Sequence, residues 1–220
     1  AMNWRLSKLD TYNIVSFSDP HSAHPWRLGR EATIFEVKEL TYKNILRAIR
    51  TGEGLKGTIE TPPEYGKYHY DGHRLCGISL TPAESRKLNK VCPKCKQEMT
   101  IGVEYRVEEL ADRPVGFIPS HAKPFDSLLP LHELISFTSH IKLLHSKKIT
   151  DIYHKLIQRF GTEYAVLRDA SFDALRETVD EKLTELILKN REGKIPIQPG
   201  YDGVYGKLLL KDGSPSQQPF

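Results

Sequence analysis

Hydrophobic residues change their spacing along the chain, from short runs in the first half to a helical period in the second. The run Tyr12–Phe17 predicts a buried strand that ends at Asp19. The segment ATIFEV, from Ala32, predicts another strand. Between Tyr42 and Arg50 the apolar residues share one helical face, and Gly52 follows where a helix stops. The start of the chain therefore predicts a strand, a loop, a strand and a helix at the edge of a larger α/β unit.

The middle of the chain, from Gly57 to Leu110, is rich in Gly, Pro and Tyr and has little periodicity. It predicts short strands and turns. Within it, the alternation over Thr100–Val107 predicts a strand. The segment Ala111–Phe125 contains several prolines and predicts a linker.

Beyond Phe125 the hydrophobic spacing becomes 3.6 residues, which predicts three helices. The second is expected to stop at Gly161, and the third to begin at the N-cap Ser171 and end before Gly193. The tail from Asp212 predicts a frayed end. The apolar faces comprise Leu131, Leu134, Ile135, Thr138, Ile141 and Leu144 in the first helix, Ile152, Tyr153, Leu156, Ile157 and Phe160 in the second, and Leu175, Val179, Leu183 and Leu186 in the third.

These patterns predict an α+β protein in three parts, residues 1–56, 57–110 and 111–220. The 220 residues are 39% hydrophobic, which is enough for more than one core. We find no signal peptide or spanning helix, and so expect a soluble, cytoplasmic protein with no membrane partner. The net charge of +4 is compatible with a polyanionic partner but does not by itself indicate one. Because Ala1 precedes Met2 and the first strand has no partner upstream, we also expect the chain to be part of a longer protein.

The three cysteines form part of a metal-ligand pattern. His73-x-x-Cys76 and Cys92-x-x-Cys95 are two pairs separated by 15 residues, as in zinc ribbons. Four protein ligands leave no position for water, so the predicted zinc is structural. His69 is an alternative to His73 as the fourth ligand. A second alternative is that no zinc site exists, and that Cys76 is a free cysteine beside an unrelated Cys-x-x-Cys pair. A thioredoxin-like role for the last pair would need a following helix.

Asp19-Pro-His21 lies at the end of the first predicted strand, where an Asp-x-His pair can bind metal. The same residues are also typical of a simple turn, since Asp and Pro favour one. Two ligands alone do not hold a catalytic metal, and His24 is only a weak candidate for a third.

Basic and aromatic residues surround the predicted zinc ligands. Phosphates are neutralised by Lys and Arg, and an unstacked base can pack on Tyr. The pattern therefore favours a DNA-binding surface, although a solvated Lys-rich loop gives the same composition. The candidate contacts are Arg74, Lys90, Lys94, Tyr68 and Tyr70, and Tyr201 and Tyr205 are weaker candidates for contact with single strands.

Two other patterns do not support a function. Gly200 to Gly206 is too widely spaced for a phosphate loop, and Leu208 stands where that loop needs Ser or Thr. The helix histidines His132, His140, His145 and His154 are expected to be solvated or satisfied rather than to bind metal.

The chain also resembles a known family. The segment Trp4–Arg50 is similar to the last stretch of a polymerase-and-histidinol-phosphatase (PHP) domain, a metal-dependent α/β barrel. More specifically, SDPHSAHPWRLGREATIFE, GKYHYDGHRLCG, CPKCKQEMTIGVEYRVEELADRP and PGYDGVYGK together resemble endonuclease Q, over nearly the whole chain from Asn3 to about Leu210. That family nicks DNA on the 5′ side of deaminated bases such as uracil and hypoxanthine.

The resemblance implies the C-terminal piece of a PHP barrel, a small zinc-ribbon-like module and an all-helical C-terminal domain. It also implies that Asp19 and His21 bind a catalytic Mg²⁺ or Mn²⁺ in a DNA-repair endonuclease. The family's His-x-His motif and its middle Glu and His ligands have no counterpart here, so we expect this chain alone to be inactive. The alternative function is a non-catalytic zinc-containing DNA-binding or helicase-associated module, with a helicase or another repair protein as its partner. A third hypothesis is a scaffold that zinc stabilises and that binds a protein partner.

Overall fold

A computed structural model describes residues 2–209 of the chain, so the predicted tail from Asp212 lies outside the described residues. The fold is α+β, with small sheets and several helices. The strands are β1 (Ala32–Phe35), β2 (Leu55–Glu60), β3 (Asp71–His73), β4 (Ile78–Leu80), β5 (Phe125–Ser127), β6 (Ile197–Gln198) and β7 (Lys207–Leu208). The helices are α1 (Tyr42–Thr51), α2 (Pro82–Lys87), α3 (Val103–Leu110), α4 (Leu131–Ser139), α5 (Lys147–Phe160), α6 (Phe172–Arg176) and α7 (Glu181–Arg191).

The largest sheet has the order β1-β2-β5, with β1 antiparallel and β5 parallel to β2. Helix α1 connects β1 to β2. It begins where the Thr41 hydroxyl accepts a hydrogen bond from the Asn44 N–H (3.2 Å), and it ends at Gly52, whose φ of 75° favours glycine. The predictions of β1 and α1 are confirmed.

The predicted buried strand Tyr12–Phe17 is wrong. Tyr12 is 67% exposed and Phe17 is 60% exposed, and the segment pairs with no strand among residues 2–209. Its link to β1 runs through one side chain, because the Thr33 hydroxyl donates to the Ser16 carbonyl (2.8 Å) and accepts from the Ser16 N–H (2.9 Å). A strand needs a neighbour whose backbone groups continue the ladder, and Thr33 supplies only a side chain.

The predicted strand Thr100–Val107 is also wrong, because most of this segment is helix α3. Thr100 pairs through its backbone with Gly72, and the chain then turns at Gly102. The buried Asp71 carboxylate accepts a hydrogen bond from the Gly102 N–H (2.7 Å), and the Val103 N–H donates to the Tyr68 carbonyl (2.8 Å). These contacts satisfy amides that the first turn of a helix leaves without partners.

The second half of the chain contains helices, as predicted, but the helix ends differ. The prediction that residues 111–220 are all-helical is wrong, because β5 extends the sheet of β2, and β6 pairs with β7. Helix α4 stops at Ser139, where His140 takes a positive φ of 54°. The predicted third helix is two helices, since Ser171 caps α6 and Asp180 caps α7. Six of the predicted face residues belong to the buried core: Leu131, Leu134, Ile135, Leu156, Leu175 and Leu183. The same core also contains fully enclosed residues that the pattern did not single out, namely Leu129, Ile149, Val166 and Ile187.

The three parts of the chain are joined by backbone contacts. The predicted division between residues 56 and 57 cuts β2, and β5 belongs to the same sheet as β2. The Asn190 side chain of α7 bonds both backbone groups of Leu129, at 2.9 and 3.1 Å, and so fixes the chain between β5 and α4. Within residues 2–209, no helix combines the length and apolarity needed to cross a bilayer.

Candidate functional site

The four predicted zinc ligands lie together. The ligand atoms of His73, Cys76, Cys92 and Cys95 are all within 4.8 Å of one another, and Nδ1 of His73 is 3.1 Å from Sγ of Cys95. His69 does not belong to this group: its ring is 5% exposed, and its Nδ1 has no hydrogen-bond partner. The structure therefore places His73, rather than His69, beside the cysteines.

Two tight turns bring the ligands together. The first is the loop of the β3–β4 hairpin, in which Arg74–Cys76 forms a 3-10 turn that ends at Gly77 with a φ of 64°. In the second turn, the Cys92 N–H donates to the Gln97 carbonyl (2.8 Å) and the Lys96 N–H donates to the Cys92 carbonyl (2.9 Å). Each turn presents two ligands, as the spacing predicted.

This donor set fits a tetrahedral metal ion. With Zn–S bonds of 2.3 Å, ligand atoms at the corners of a tetrahedron are about 3.8 Å apart, close to the separations here. Burial acts to raise the pKa of Cys92, but nearby backbone N–H groups and His73 hold it at about 6. Burial and the neighbouring thiols raise the pKa of Cys76 to about 11. A bound cation would favour the thiolate form of all three cysteines, so the cluster of one imidazole and three sulfur atoms indicates a metal site.

Asp19 and His21 lie in an exposed bend, where Asp19 has a positive φ of 40°. Nδ1 of His21 is hydrogen-bonded to the Asp19 carbonyl (3.0 Å), so the pair closes a local turn. Among the residues that the structure describes, the cluster around His73 is the one group of three or more potential metal ligands. The two residues therefore do not form a metal site with other parts of the described chain.

The loop that follows His21 packs on the helical part. Trp26 lies between two imidazoles: His24 is stacked on it at 4.4 Å, and His132 of α4 is 5.1 Å away, measured between ring centroids. The Tyr164 hydroxyl donates to the Gly29 carbonyl, and the Gly29 N–H donates to the Ser18 hydroxyl (3.1 Å). The helical part thus contacts the end of the Asp-x-His loop at Trp26 and Gly29, and Gly29 in turn bonds Ser18 at its start.

Buried polar groups lie beneath this loop. Glu133 is 4% exposed and accepts a hydrogen bond from the Tyr65 hydroxyl. Burial raises the pKa of Glu133, while Tyr65 and the positive charges of Arg30 and Arg27 oppose that rise. The contact joins the helical part to the segment that leads into the candidate zinc module (residues 57–110), and Arg27 and Arg30 come from the first part, so three parts of the chain meet at Glu133.

His132 is buried and unsatisfied, unlike the solvated or satisfied helix histidine that the sequence predicted. His140, His145 and His154 are exposed, as expected, but His132 is 2% exposed and its Nδ1 has no hydrogen-bond partner. Its ring lies 4.1 Å from that of Tyr153, and burial lowers its pKa to about 4. The periodicity of α4 gives no indication of this, because the whole first turn of that helix is buried.

The predicted DNA-binding residues differ in their surroundings. Tyr68 is 46% exposed, and the Arg74 side chain and Lys94 are on the surface. Lys94 donates to the Cys76 carbonyl (2.7 Å). Two candidates are engaged within the protein: the Lys90 ammonium lies 4.6 Å from the Tyr105 ring centroid, and Tyr70 is half-buried beside Tyr201. Arg74, Lys94 and Tyr68 are therefore the more exposed of the five candidates.

The segment Gly200–Gly206 packs on the candidate zinc module. The Tyr70 N–H donates to the Gly200 carbonyl (2.9 Å), and the Gly203 N–H donates to the Lys67 carbonyl (2.8 Å). The Asp202 carboxylate accepts from the Arg74 N–H and from the Thr100 hydroxyl, each at 2.6 Å. The sequence predicted a turn with aromatic packing here but gave no indication of its partner.

Solved structures resemble this chain closely. The lesion-specific endonuclease PfuEndoQ of Pyrococcus furiosus superposes with a TM-score of 0.84 at 31% identity, covering 94% of this chain and 51% of that one. Endonuclease Q in complex with a 27-mer duplex substrate that has an abasic lesion at the active site gives a TM-score of 0.84 at 30% identity, with coverage of 96% and 53%. The resemblance to endonuclease Q is confirmed.

Curated relatives of this endonuclease Q-like chain are uncharacterized proteins similar to MJ0043. A family model described as the MJ0043 C-terminal domain matches residues 130–194. The uncharacterized protein MJ0043 of Methanocaldococcus jannaschii is 36% identical over 211 residues, which are 94% of this chain and 26% of that protein. The uncharacterized protein YqxK of Bacillus subtilis is 28% identical over 207 residues, 92% of this chain and 48% of that protein. The chain thus spans a quarter to a half of the relatives it matches.

Proposed function

We propose that this chain is part of a metal-dependent DNA-repair endonuclease that nicks on the 5′ side of deaminated bases. The observation that carries the proposal is the match to endonuclease Q over nearly the whole chain, one of the matched structures being bound to damaged duplex DNA. The matched proteins give no support for a helicase partner. DNA is accordingly the partner that we propose.

In this proposal the module around His73 and the three cysteines holds a structural zinc ion. Four protein donors fill a tetrahedron and leave no position for substrate, so this metal stabilises the fold rather than reacts. Its two turns fix the surface that carries Arg74, Lys94 and Tyr68. These cations neutralise phosphates, and the exposed tyrosine offers a face for a base.

Asp19 and His21 belong to a second, catalytic site in the proposal. They are two ligands of a Mg²⁺ or Mn²⁺ centre whose other ligands come from parts of a longer protein that this chain does not include. When bound, such ions stabilise the charge that develops on a phosphodiester during hydrolysis. The chain's own contribution is to position the two side chains, which the Trp26 and Gly29 contacts with the helical part support.

A non-catalytic zinc-containing DNA-binding module is the second candidate function. It is favoured by the single observation that Asp19 and His21 find no further ligands among residues 2–209. The two functions agree on DNA binding and differ on cleavage, so an assay of cleavage separates them.

The experiment is an oligonucleotide nicking assay with uracil- or hypoxanthine-containing duplex and added Mn²⁺ or Mg²⁺. Three samples are compared: this chain, a longer protein that includes the upstream barrel, and that longer protein with Asp19→Asn. We expect the chain to be inactive and the longer protein to nick 5′ to the lesion. We expect Asp19→Asn to abolish cleavage and to leave DNA binding nearly unchanged, because it removes a charge that binds metal and not a phosphate contact.

The control is Glu39→Gln, a change of an exposed carboxylate that lies in neither the zinc module nor the Asp-x-His loop. It should leave cleavage unchanged. Unimpaired cleavage by Asp19→Asn would exclude Asp19 from the site, and a longer protein that binds DNA without nicking it would favour the non-catalytic function.

A further inference from the structure

Leu75 is the most exposed large hydrophobic residue among residues 2–209, at 86%. It lies in the loop of the β3–β4 hairpin, between the ligand residues His73 and Cys76. A Cβ atom placed on the nearby Gly77 meets nothing within 4 Å, so the tip of the loop projects into open space. Exposing a leucine in this way forgoes the stabilisation of about 2 kcal/mol that its burial brings, and the protein gains no contact in return.

The loop that carries Leu75 is held rigidly. The backbone N–H of Arg74 donates to the Asp202 carboxylate (2.6 Å), and the carbonyl of Cys76 accepts from the Lys94 ammonium (2.7 Å). The backbone on both sides of Leu75 is therefore fixed, at Arg74 and at Cys76. A side chain on such a support can be pushed into a partner at little cost in conformational entropy.

The charges around Leu75 indicate the partner. Arg74 precedes it, and the Lys94 ammonium lies against the residue that follows it. An apolar tip between two cations is complementary to DNA, in which stacked bases lie between phosphates. Proteins that kink or open a duplex commonly insert Leu, Ile, Met or Phe between base pairs in this way.

We propose that Leu75 is an apolar wedge that enters a base step of duplex DNA and unstacks it. This proposal rests on the DNA binding proposed above and adds a mechanical role for the zinc module. Action on a base within a duplex requires the base to leave the stack, and unstacking costs a few kcal/mol. A wedge on a rigid hairpin lowers that cost, while Arg74 and Lys94 bind the phosphates on either side.

The test uses duplex DNA with 2-aminopurine in the lesion-containing strand, because the fluorescence of this base rises when it unstacks. Binding of the unmodified chain should raise the fluorescence. Leu75→Ala should lose most of that gain, and Leu75→Met should keep it. The salt dependence of binding should be unchanged in Leu75→Ala, since no phosphate contact is removed, whereas Arg74→Ala should lower the slope by about one.

The control is Leu40→Ala, since Leu40 is 85% exposed in the segment before α1, far in sequence from the zinc module. Equal metal content in all variants shows that the hairpin is intact. DNA binding without a rise in fluorescence, or an equal rise with Leu75→Ala, would overturn the wedge proposal but not the proposed DNA binding. The exposed Leu75 would then be assigned to contact with a protein partner. A chain that does not bind DNA would overturn the wedge together with the DNA-binding function.

Discussion

The buried imidazole of His132 makes the stability of this protein depend on pH. Its ring lies between Tyr153 and Trp26, its Nδ1 has no hydrogen-bond partner, and burial lowers its pKa from 6.5 to about 4. The nearby imidazole of His154 lowers the same pKa further when it is protonated. His132 is therefore neutral in the folded protein at pH values where an unfolded chain would protonate it.

The sign and size of the effect follow from these two pKa values. Between pH 6.5 and pH 4 the unfolded chain binds a proton that the folded protein does not. The free energy of unfolding is thus highest above pH 6.5 and falls as the pH is lowered. At about 1.4 kcal/mol for each pH unit, the loss from this residue amounts to about 3 kcal/mol by pH 4.

The assay is urea denaturation over this pH range for the unmodified protein and for His132→Gln, which is similar in volume and does not titrate. Other groups also contribute to the pH dependence, since burial raises the pKa of the Glu133 and Glu163 carboxylates. The difference between the two proteins cancels their contributions. We expect that difference to change by about 3 kcal/mol between neutral pH and pH 4.

The matched control is His140→Asn, because His140 is exposed at the end of the helix that carries His132, and Asn tolerates the positive φ of that position. Its pH profile should follow that of the unmodified protein closely. If the difference between the unmodified protein and His132→Gln is the same at every pH, His132 titrates normally in the folded state and the reasoning is refuted.

Three further changes test the local structure. Cys76→Ser should lower the metal content from about one zinc per chain to near zero, as measured by elemental analysis, and retention of the metal would show that the ligand set is wrong. Tyr65→Phe leaves the buried Glu133 carboxylate without its hydroxyl donor and should lower the free energy of unfolding by about 1–3 kcal/mol in urea. Asp180→Ala removes the cap that accepts from the Leu183 N–H (2.9 Å) and should cost about 1 kcal/mol in thermal unfolding, whereas an unchanged melting temperature would contradict this role.

Features that depend on a few neighbouring residues could be predicted from the sequence. Gly52 ends α1 and Ser171 caps α6, because each acts on the backbone within four residues of itself. The two-residue gaps in the Cys and His pairs likewise act locally, because each pair lies within one tight turn. The helical period identified core residues such as Leu134, Leu156 and Leu183, because a repeat of 3.6 residues places apolar side chains on the one face of a helix that is buried.

Features that depend on distant parts of the chain could not be predicted in this way. The alternation in Thr100–Val107 is typical of a strand, yet Asp71 and Tyr68 bond the first amides of a helix there. The run Tyr12–Phe17 has the composition of a buried strand, but whether it becomes one depends on a neighbour that its own residues do not specify. His132 is buried because Trp26 covers it from a loop that lies about 100 residues earlier in the sequence.

The contact between Asp202 and Arg74 has a consequence for the order of folding. These residues are 128 positions apart, and the Gly200–Gly206 segment fills a place in the zinc module. During synthesis the two metal-ligand turns leave the ribosome long before the segment that packs on them. The module is therefore completed only after helices α1–α7 have been made. A nascent chain that ends before Gly200 lacks part of the surface proposed to meet DNA.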